Sequence, residues 1–382
     1  LKQNHMLDQA KDFLMASGKF QAELYKEEIE SALRTPGFGG FQLLDLHDFS
    51  GQGTALVGVL DAFWDEKGYI KPKEFRQFCS ETVPLVRMEK RVWTSDETFN
   101  AKVEISHFGP APIEKAIMLW SISDAEGCEI TSGQLPPKTI PLGNAAPLGE
   151  IELPLSNISE AKKMKLAVSI KETDFANDWD FWVYPKDIDT TIPKDILIAD
   201  KLNKKVQKKL KKGGKVMLIP AHDTVKGDKY GKVPPGFTTI FWNTQFTARQ
   251  QPHTLGLLCN PQHPALTEFP TEFHSNWQWW YLVTKSQFMI LNNLPAEIRP
   301  IVQVIDDWNT NRKLGLIFEA KVAKGKLLIC SIDLQNNLDK CPVARQMLHS
   351  LLAYMNSERF NPKIQCDVSA LEKLFEVAKK TK

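Results

Sequence analysis

Between residues 83 and 190 the chain changes period, and this limits its fold more than any other feature. AKVEISHF, KAIMLWSIS, GEIELPL and KMKLAVSIKE alternate apolar and polar residues or run apolar over short lengths, with turn clusters such as HFGPAP and SDAEG between them. A period of two over short segments predicts strands that bury one face. About a hundred residues of such strands, with Trp93 and Trp120 as candidate core anchors, predict an immunoglobulin-like β-sandwich. No Cys…Trp…Cys spacing accompanies them, so the sandwich is expected without the inter-sheet disulfide.

The flanks have a different texture. In residues 1–82, MLDQAKDFLMASGKFQAELYKEEIESALRT carries helical spacing up to a break at Pro36 and Gly37; FQLLDL follows as a buried strand and PKEFRQFCSET as a second helix. In residues 195–382, DILIAD, KVMLIP, TTIFWN, KLGLIFEAKV and KLLICSIDL are expected as strands, and NKKVQKKLKK and CPVARQMLHSLLAYMNSERF as helices. That alternation predicts an open, mostly parallel sheet. PKDIDTTIPKD, 185–195, is the expected linker. With 382 residues, 42% of them apolar, the chain has room for three domains at 1–82, 83–190 and 195–382.

Charge and cysteine content exclude several functions. Lys and Arg number 48 against 46 Asp and Glu, a net charge of +2, so the chain as a whole lacks the one-signed field of a nucleic-acid binder. NKKVQKKLKKGGK, 203–215, is the exception, and its simplest reading is a solvated helix face. No run approaches the ~20 apolar residues of a membrane span. The chain begins at Leu1, which is expected of a piece of a longer polypeptide, so the lack of a signal peptide says nothing about secretion. Cysteines 79, 128, 259, 330, 341 and 366 lie far apart without a CxxC pair, and neither a zinc site nor a disulfide framework is expected. No GxGxxG opens a helix, so no dinucleotide cofactor is implied.

The candidate site lies in GGFQLLDLHDFSGQG, where an apolar run ends in Asp45, His47 and Asp48, with Gln52 in the loop beyond. Alternation places Asp45 and His47 on one face of a strand and Leu44 and Leu46 on the other. A barrel strand ending in an active site has this form. So does a turn capped by Asp48, with His47 as a satisfied imidazole. Spacing alone leaves both open.

This stretch and the order of domains around it resemble the C-terminal part of glycoside hydrolase family 2, the β-galactosidases and β-glucuronidases. Gly39-Gly40-Phe41, Asp45 and Asp48-Phe49 carry most of the likeness. NDWDFWVYP, 177–185, resembles the closing strand of the family's sandwich domain. LLICSIDL followed by PVARQMLHSLLAYM resembles a class I amidotransferase-like or flavodoxin-like accessory domain. The resemblance implies that residues 1–82 are the end of a (β/α)8 barrel, with GGFQLLDLHDF as its eighth strand. It implies a parent enzyme, periplasmic or extracellular, that hydrolyses O-glycosidic bonds in oligo- or polysaccharides from the chain end. Asp45, His47, Asp48 and Gln52 would then bind the carbohydrate, with no metal and no cofactor.

In that family the two catalytic carboxylates come from earlier strands, so no catalytic residue is assigned in this chain. Asp45 and Asp48 are not substitutes: three apart on an extended chain, they point to opposite faces, and retention needs carboxyl groups about 5–5.5 Å apart. Two departures narrow the likeness. Leu44 stands where members commonly place a Trp platform, and Asp65-Glu66-Lys67-Gly68 stands in place of the uronate-binding Asn-x-Lys-Gly. The alternative is a non-catalytic carbohydrate-binding or scaffolding module that uses the aromatic run FHSNWQWWYLV, 273–283. Cys259, with His263 four residues on, suggests a nucleophile and base, but Leu257 and Pro261 occupy places an elbow gives to small residues, so a buried inert thiol is expected.

Overall fold

The computed structural model describes residues 1–44, 46–51, 56–221, 223–237, 254–336 and 338–376. They form two compact units, Gln21–Asp187 and Leu1–Phe20 with Ile188–Lys382. Helix α1 (Ala10–Leu33) gives residues to both. It stops short of Pro36, as the sequence requires. Helix α2 (Pro72–Phe78) starts with proline in its first turn, and the Glu74 carboxylate accepts the Lys71 amide at 2.7 Å.

In the Gln21–Asp187 unit ten strands follow: β1 (Thr82–Met88), β2 (Val92–Thr94), β3 (Thr98–His107), β4 (Ile113–Ala116), β5 (Met118–Asp124), β6 (Glu129–Gln134), β7 (Lys138–Ile140), β8 (Gly143–Pro154), β9 (Lys162–Ile170) and β10 (Ala176–Tyr184). One sheet has the order β1-β3-β8, the second β2-β10-β9-β5-β6, and β4 pairs with β7. Pairing is antiparallel except for β2 beside β10. Period two decides what is buried. Met164, Leu166, Val168 and Ile170 of β9 meet Phe99, Ala101, Val103 and Ile105 of β3 in one core, with Trp93, Trp179 and Phe181. Trp120 packs against that core half-buried, beside Gly133, where a Cβ would lie 2.7 Å from its ring.

The other unit holds β11 (Ile196–Ala199), α3 (Lys204–Lys211), β12 (Lys215–Leu218), β13 (Leu257–Cys259), α4 (Trp277–Val283), β14 (Met289–Ile290), β15 (Val302–Val304), β16 (Leu314–Val322), β17 (Gly325–Cys330), α5 (Pro342–Asn356) and α6 (Val368–Glu372). Its sheet runs β11-β12-β17-β16-β15-β13, with β14 also on β16. Only β11/β12 and β12/β17 are parallel; the remaining pairs are antiparallel. The mostly parallel, flavodoxin-like sheet expected from the sequence is therefore not formed. The reason is connection length: β16 and β17 pair through Val322↔Gly325 across two residues, and a parallel crossover needs about a dozen. TTIFWN lies outside the described residues.

FQLLDL is a second correction. Residues 41–44 make no strand, and Leu44 is 75% exposed. A single apolar run has no ladder partners of its own, and among the described residues no closed barrel supplies them.

Candidate functional site

The polar end of that run is fixed by a loop packed against it. His47 bridges Leu60 in parallel register, with Leu60 N donating to Leu46 O at 3.1 Å and Asp48 N to Leu60 O at 3.0 Å. Gly58 allows this approach, since a Cβ there would lie 2.3 Å from the His47 carbonyl carbon. The Asp48 carboxylate accepts the Gly58 amide at 3.0 Å and Lys67 Nζ at 2.7 Å. Lys67 Nζ also donates to Gly58 O at 2.7 Å, and the Tyr69 hydroxyl reaches the same oxygen at 3.1 Å. Gln21 completes the staple, accepting from Tyr69 at 2.9 Å and donating to Val57 O. Burial, then Tyr25 and the Asp48 carboxylate, hold the Tyr69 phenol above its ordinary value, so it stays a neutral donor.

Outside the staple the loop presents aromatic rings. Asp61 Oδ1 accepts the amides of Phe63 at 2.8 Å and Asp65 at 3.0 Å, a local turn that Trp64 closes with φ of 71°. Phe63 is 84% and Trp64 61% exposed, and the Trp64 ring lies 4.3 Å from the His47 ring, centroid to centroid. His47 Nδ1 is 2.7 Å from the Asp48 carbonyl oxygen, which fixes the ring and leaves Nε2 as its remaining polar atom. Phe38, Phe41, Phe49 and Leu56 are exposed along the same segment.

The structure thus brings His47 and Asp48 together and gives them different work. Asp48 is buried and committed to the staple; His47 is half-buried and faces an aromatic surface. Asp45 and Gln52 lie outside the described residues. Lys67, the residue shared with the uronate motif, is occupied by Asp48 and Gly58 O. Gly58, Tyr69 and Gln21 were not singled out from the sequence. The signal available for the first two was a glycine and a Gly-Tyr pair on either side of an aromatic loop.

Of the other candidates, Cys259, His263 and Trp279 are packed, while Trp280 of the aromatic run is 44% exposed. Cys259 is buried in β13, a strand rather than an elbow, and burial, with Glu272 adding to it, pushes its thiol up. His263 caps the short turn Pro264–Leu266, its Nδ1 accepting the Ala265 amide at 3.2 Å, and burial lowers its pKa. In the aromatic run Trp279 is fully buried, donating to Thr271 Oγ1 at 2.8 Å and meeting Phe269 edge-on at 5.3 Å. A charged pair missed in the sequence lies in the loop after β15, where Arg312 grips Asp306 through Nε at 2.7 Å and Nη2 at 3.0 Å. Burial pushes the Asp306 carboxyl up against the pull of Arg312. β12, β15 and β17 run in one direction, so their following loops leave the same edge of the sheet. Among the described residues no cluster of His, Cys, Asp and Glu forms a metal site, and no helix is long and apolar enough to cross a membrane.

Two family models match the chain, each described as a domain of unknown function: DUF8487 over residues 197–376 and DUF8488 over residues 97–185. No curated protein matches. Among solved structures, the β-glucuronidase of Parabacteroides merdae is 15% identical, with 36% of this chain and 21% of that one covered and a TM-score of 0.20. The alkylpurine DNA glycosylase AlkC of Pseudomonas fluorescens is 14% identical over 28% of this chain and 31% of that one, with a TM-score of 0.21. A conjugative transposon lipoprotein of Bacteroides eggerthii is 12% identical over 28% of this chain and 98% of that one, with a TM-score of 0.18. The chain spans less than a third of the length of the glucuronidase and AlkC structures. Glycoside hydrolases are among its distant structural neighbours, and likeness at this level assigns neither fold nor chemistry.

Proposed function

We propose that the chain is the C-terminal, non-nucleophilic part of an exo-acting glycoside hydrolase of the β-galactosidase and β-glucuronidase type. In this reading residues 1–82 end a catalytic barrel, 83–190 form an immunoglobulin-like sandwich, and 195–382 form an accessory α/β domain. Beside the resemblance of GGFQLLDLHDF, one observation carries it. The 38–64 segment exposes Phe38, Phe41, Leu44, Phe49, Leu56, Phe63 and Trp64 around a hydrogen-bonded staple. The staple fixes the loop that carries Phe63 and Trp64, and large apolar side chains exposed along one segment offer a surface for something else to cover. The rest of a barrel covers the aliphatic part, and a sugar ring stacks on the Trp64 and His47 faces while hydroxyls bond the imidazole.

The full-length polypeptide tests this. His47→Ala should lower kcat/KM on aryl glycosides about ten- to a hundred-fold, the value of a hydrogen bond to a charged or polarised group, with an unchanged melting temperature. Trp64→Ala should raise KM. If His47→Ala lowers the melting temperature and leaves kcat/KM alone, the strand end is a turn and the reading fails.

A further inference from the structure

Helix α3 carries a charge pattern that works against its own stability. Lys204, Lys205, Lys208, Lys209, Lys211 and Lys212 crowd into and just beyond its eight residues, and no Asp or Glu occurs from 201 to 222. At about 100° per residue the six lysines fall within an arc of roughly 160°, opposite the buried Val206 and Leu210. Lys204 with Lys208, Lys205 with Lys209 and Lys208 with Lys212 are like charges four apart, which repel. Lys204 and Lys205 also stand in the first turn, where the helix dipole disfavours cations. Among the described residues none of Lys204, Lys205, Lys208, Lys211 and Lys212 pairs with a carboxylate; the neighbouring Asp195 is held by Lys215 at 2.9 Å.

The helix is nevertheless firmly seated. Asn203 Oδ1 caps it by accepting the Val206 amide at 3.0 Å. Gly325 lets its backbone close on β17, since a Cβ there would lie 2.6 Å from Leu210 Cα. Glu372 of α6, the carboxylate that reaches the helix, accepts from Gln207 Nε2 at 3.1 Å and, among the described residues, pairs with no lysine of the row, so the cations are left open to an anionic partner. We infer that this face of α3 binds a linear polyanion, specifically an acidic polysaccharide carrying uronate or sulfate groups.

The chemistry of the face favours that partner over two others. Single-stranded nucleic acid is bound by cations interleaved with aromatic platforms, and 201–215 contains no aromatic residue. A helix lying on a bilayer inserts an apolar face, and the apolar residues here, Val206 and Leu210, are spent on the sheet. The choice of polysaccharide among polyanions rests on the glycosidase reading; the existence of the cationic surface does not.

The test uses residues 1–382 and measures binding to polygalacturonate, heparin, neutral dextran, duplex DNA and phosphatidylserine vesicles. The expected result is binding to polygalacturonate and heparin, none to dextran, and affinity that falls steeply with salt. The variant Lys204→Gln/Lys205→Gln/Lys208→Gln/Lys211→Gln should bind about tenfold or more weakly, with a shallower salt dependence. It should melt no lower than the wild type, because self-repulsion is relieved. Equal binding by variant and wild type overturns the proposal, as does tighter binding to DNA or vesicles than to either polysaccharide. In the full-length polypeptide the same variant should hydrolyse a neutral aryl glycoside at the wild-type rate. Absence of any hydrolysis there would refute the glycosidase reading and leave the binding result standing.

Discussion

Glu30 shows how a single residue can be misjudged from sequence. In KEEIESALR it looks like one more charge on a solvated helix, yet it is fully buried. Its carboxylate accepts from Lys26 Nζ at 2.6 Å, Asn177 Nδ2 at 2.8 Å, Trp179 Nε1 at 2.8 Å and Arg34 Nη1 at 3.1 Å. Burial alone would raise its pKa; the Lys26 charge and the hydrogen bonds outweigh it and hold the carboxyl below its ordinary value of 4.5. A depressed folded value means that the stabilisation is complete above the unfolded pKa and is lost as pH falls through the folded one. Urea midpoints measured downward from about pH 6 should therefore fall on the acid side of the unfolded value, and Glu30→Ala should flatten that limb. The substitution takes the carboxylate from half-buried Lys26, which keeps Asn177, leaves Arg34 with Glu27 as its carboxylate, and unpairs the Trp179 indole N–H, so it should cost about 2–4 kcal/mol at neutral pH. An unchanged urea midpoint would show that the network is not coupled to folding. Sequence could not reveal this carboxylate, because two of its partners, Asn177 and Trp179, lie far along the chain.

Elements were legible where burial is one-sided. KMKLAVSIKE predicts β9, whose alternation of buried and exposed residues is the pattern of its letters, and PVARQMLHSLLAYM predicts α5. Direction was not legible. The β16–β17 hairpin turns at Ala323 and Lys324, with Ala323 at φ 53°, and carries none of the Asn-Gly or Asp-Gly chemistry that marks such turns. The 273–283 run was ambiguous because an aromatic helix looks the same whether it packs inward or binds a ligand. Its two exposures differ, Trp279 at 0% and Trp280 at 44%. Trp279→Ala should cost about 3–5 kcal/mol in chemical denaturation, while Trp280→Ala should stay near wild type. A neutral Trp279→Ala would revive the run as a binding surface. Residues 41–44 make no strand, so their amides should exchange far faster than those of β9; slow exchange through 41–44 would mean that the run has found a strand partner after all.

At the scale of the whole molecule the sequence conveyed the change to period two after residue 82, while the grouping of the chain's two ends is not written in any local pattern. Residues 1–20 belong with 188–382, an association carried by Met6, Phe13 and Ala16 against Ile305, which no local pattern announces. The polar end of the 41–48 run was half legible: His47 and Asp48 were marked, but Gly58, Lys67 and Tyr69, which bond to Asp48 or to one another, approach through a loop whose shape depends on Asp61 and a missing Cβ. That outcome bears on catalysis. Retaining hydrolysis needs a free carboxylate nucleophile about 5–5.5 Å from a protonated partner. The Oδ1 atom of Asp48 is held by Lys67 Nζ and the Gly58 amide, an arrangement that locks a loop and offers no attacking oxygen from that atom. Residues 1–382 expressed alone should therefore turn over a panel of aryl glycosides at the background rate, and Asp48→Asn should leave that rate unchanged while loosening the loop, read as altered Trp64 fluorescence. Hydrolysis well above background that disappears in Asp48→Asn would make Asp48 the nucleophile and the staple its resting state, and the division of labour proposed for this chain would be wrong.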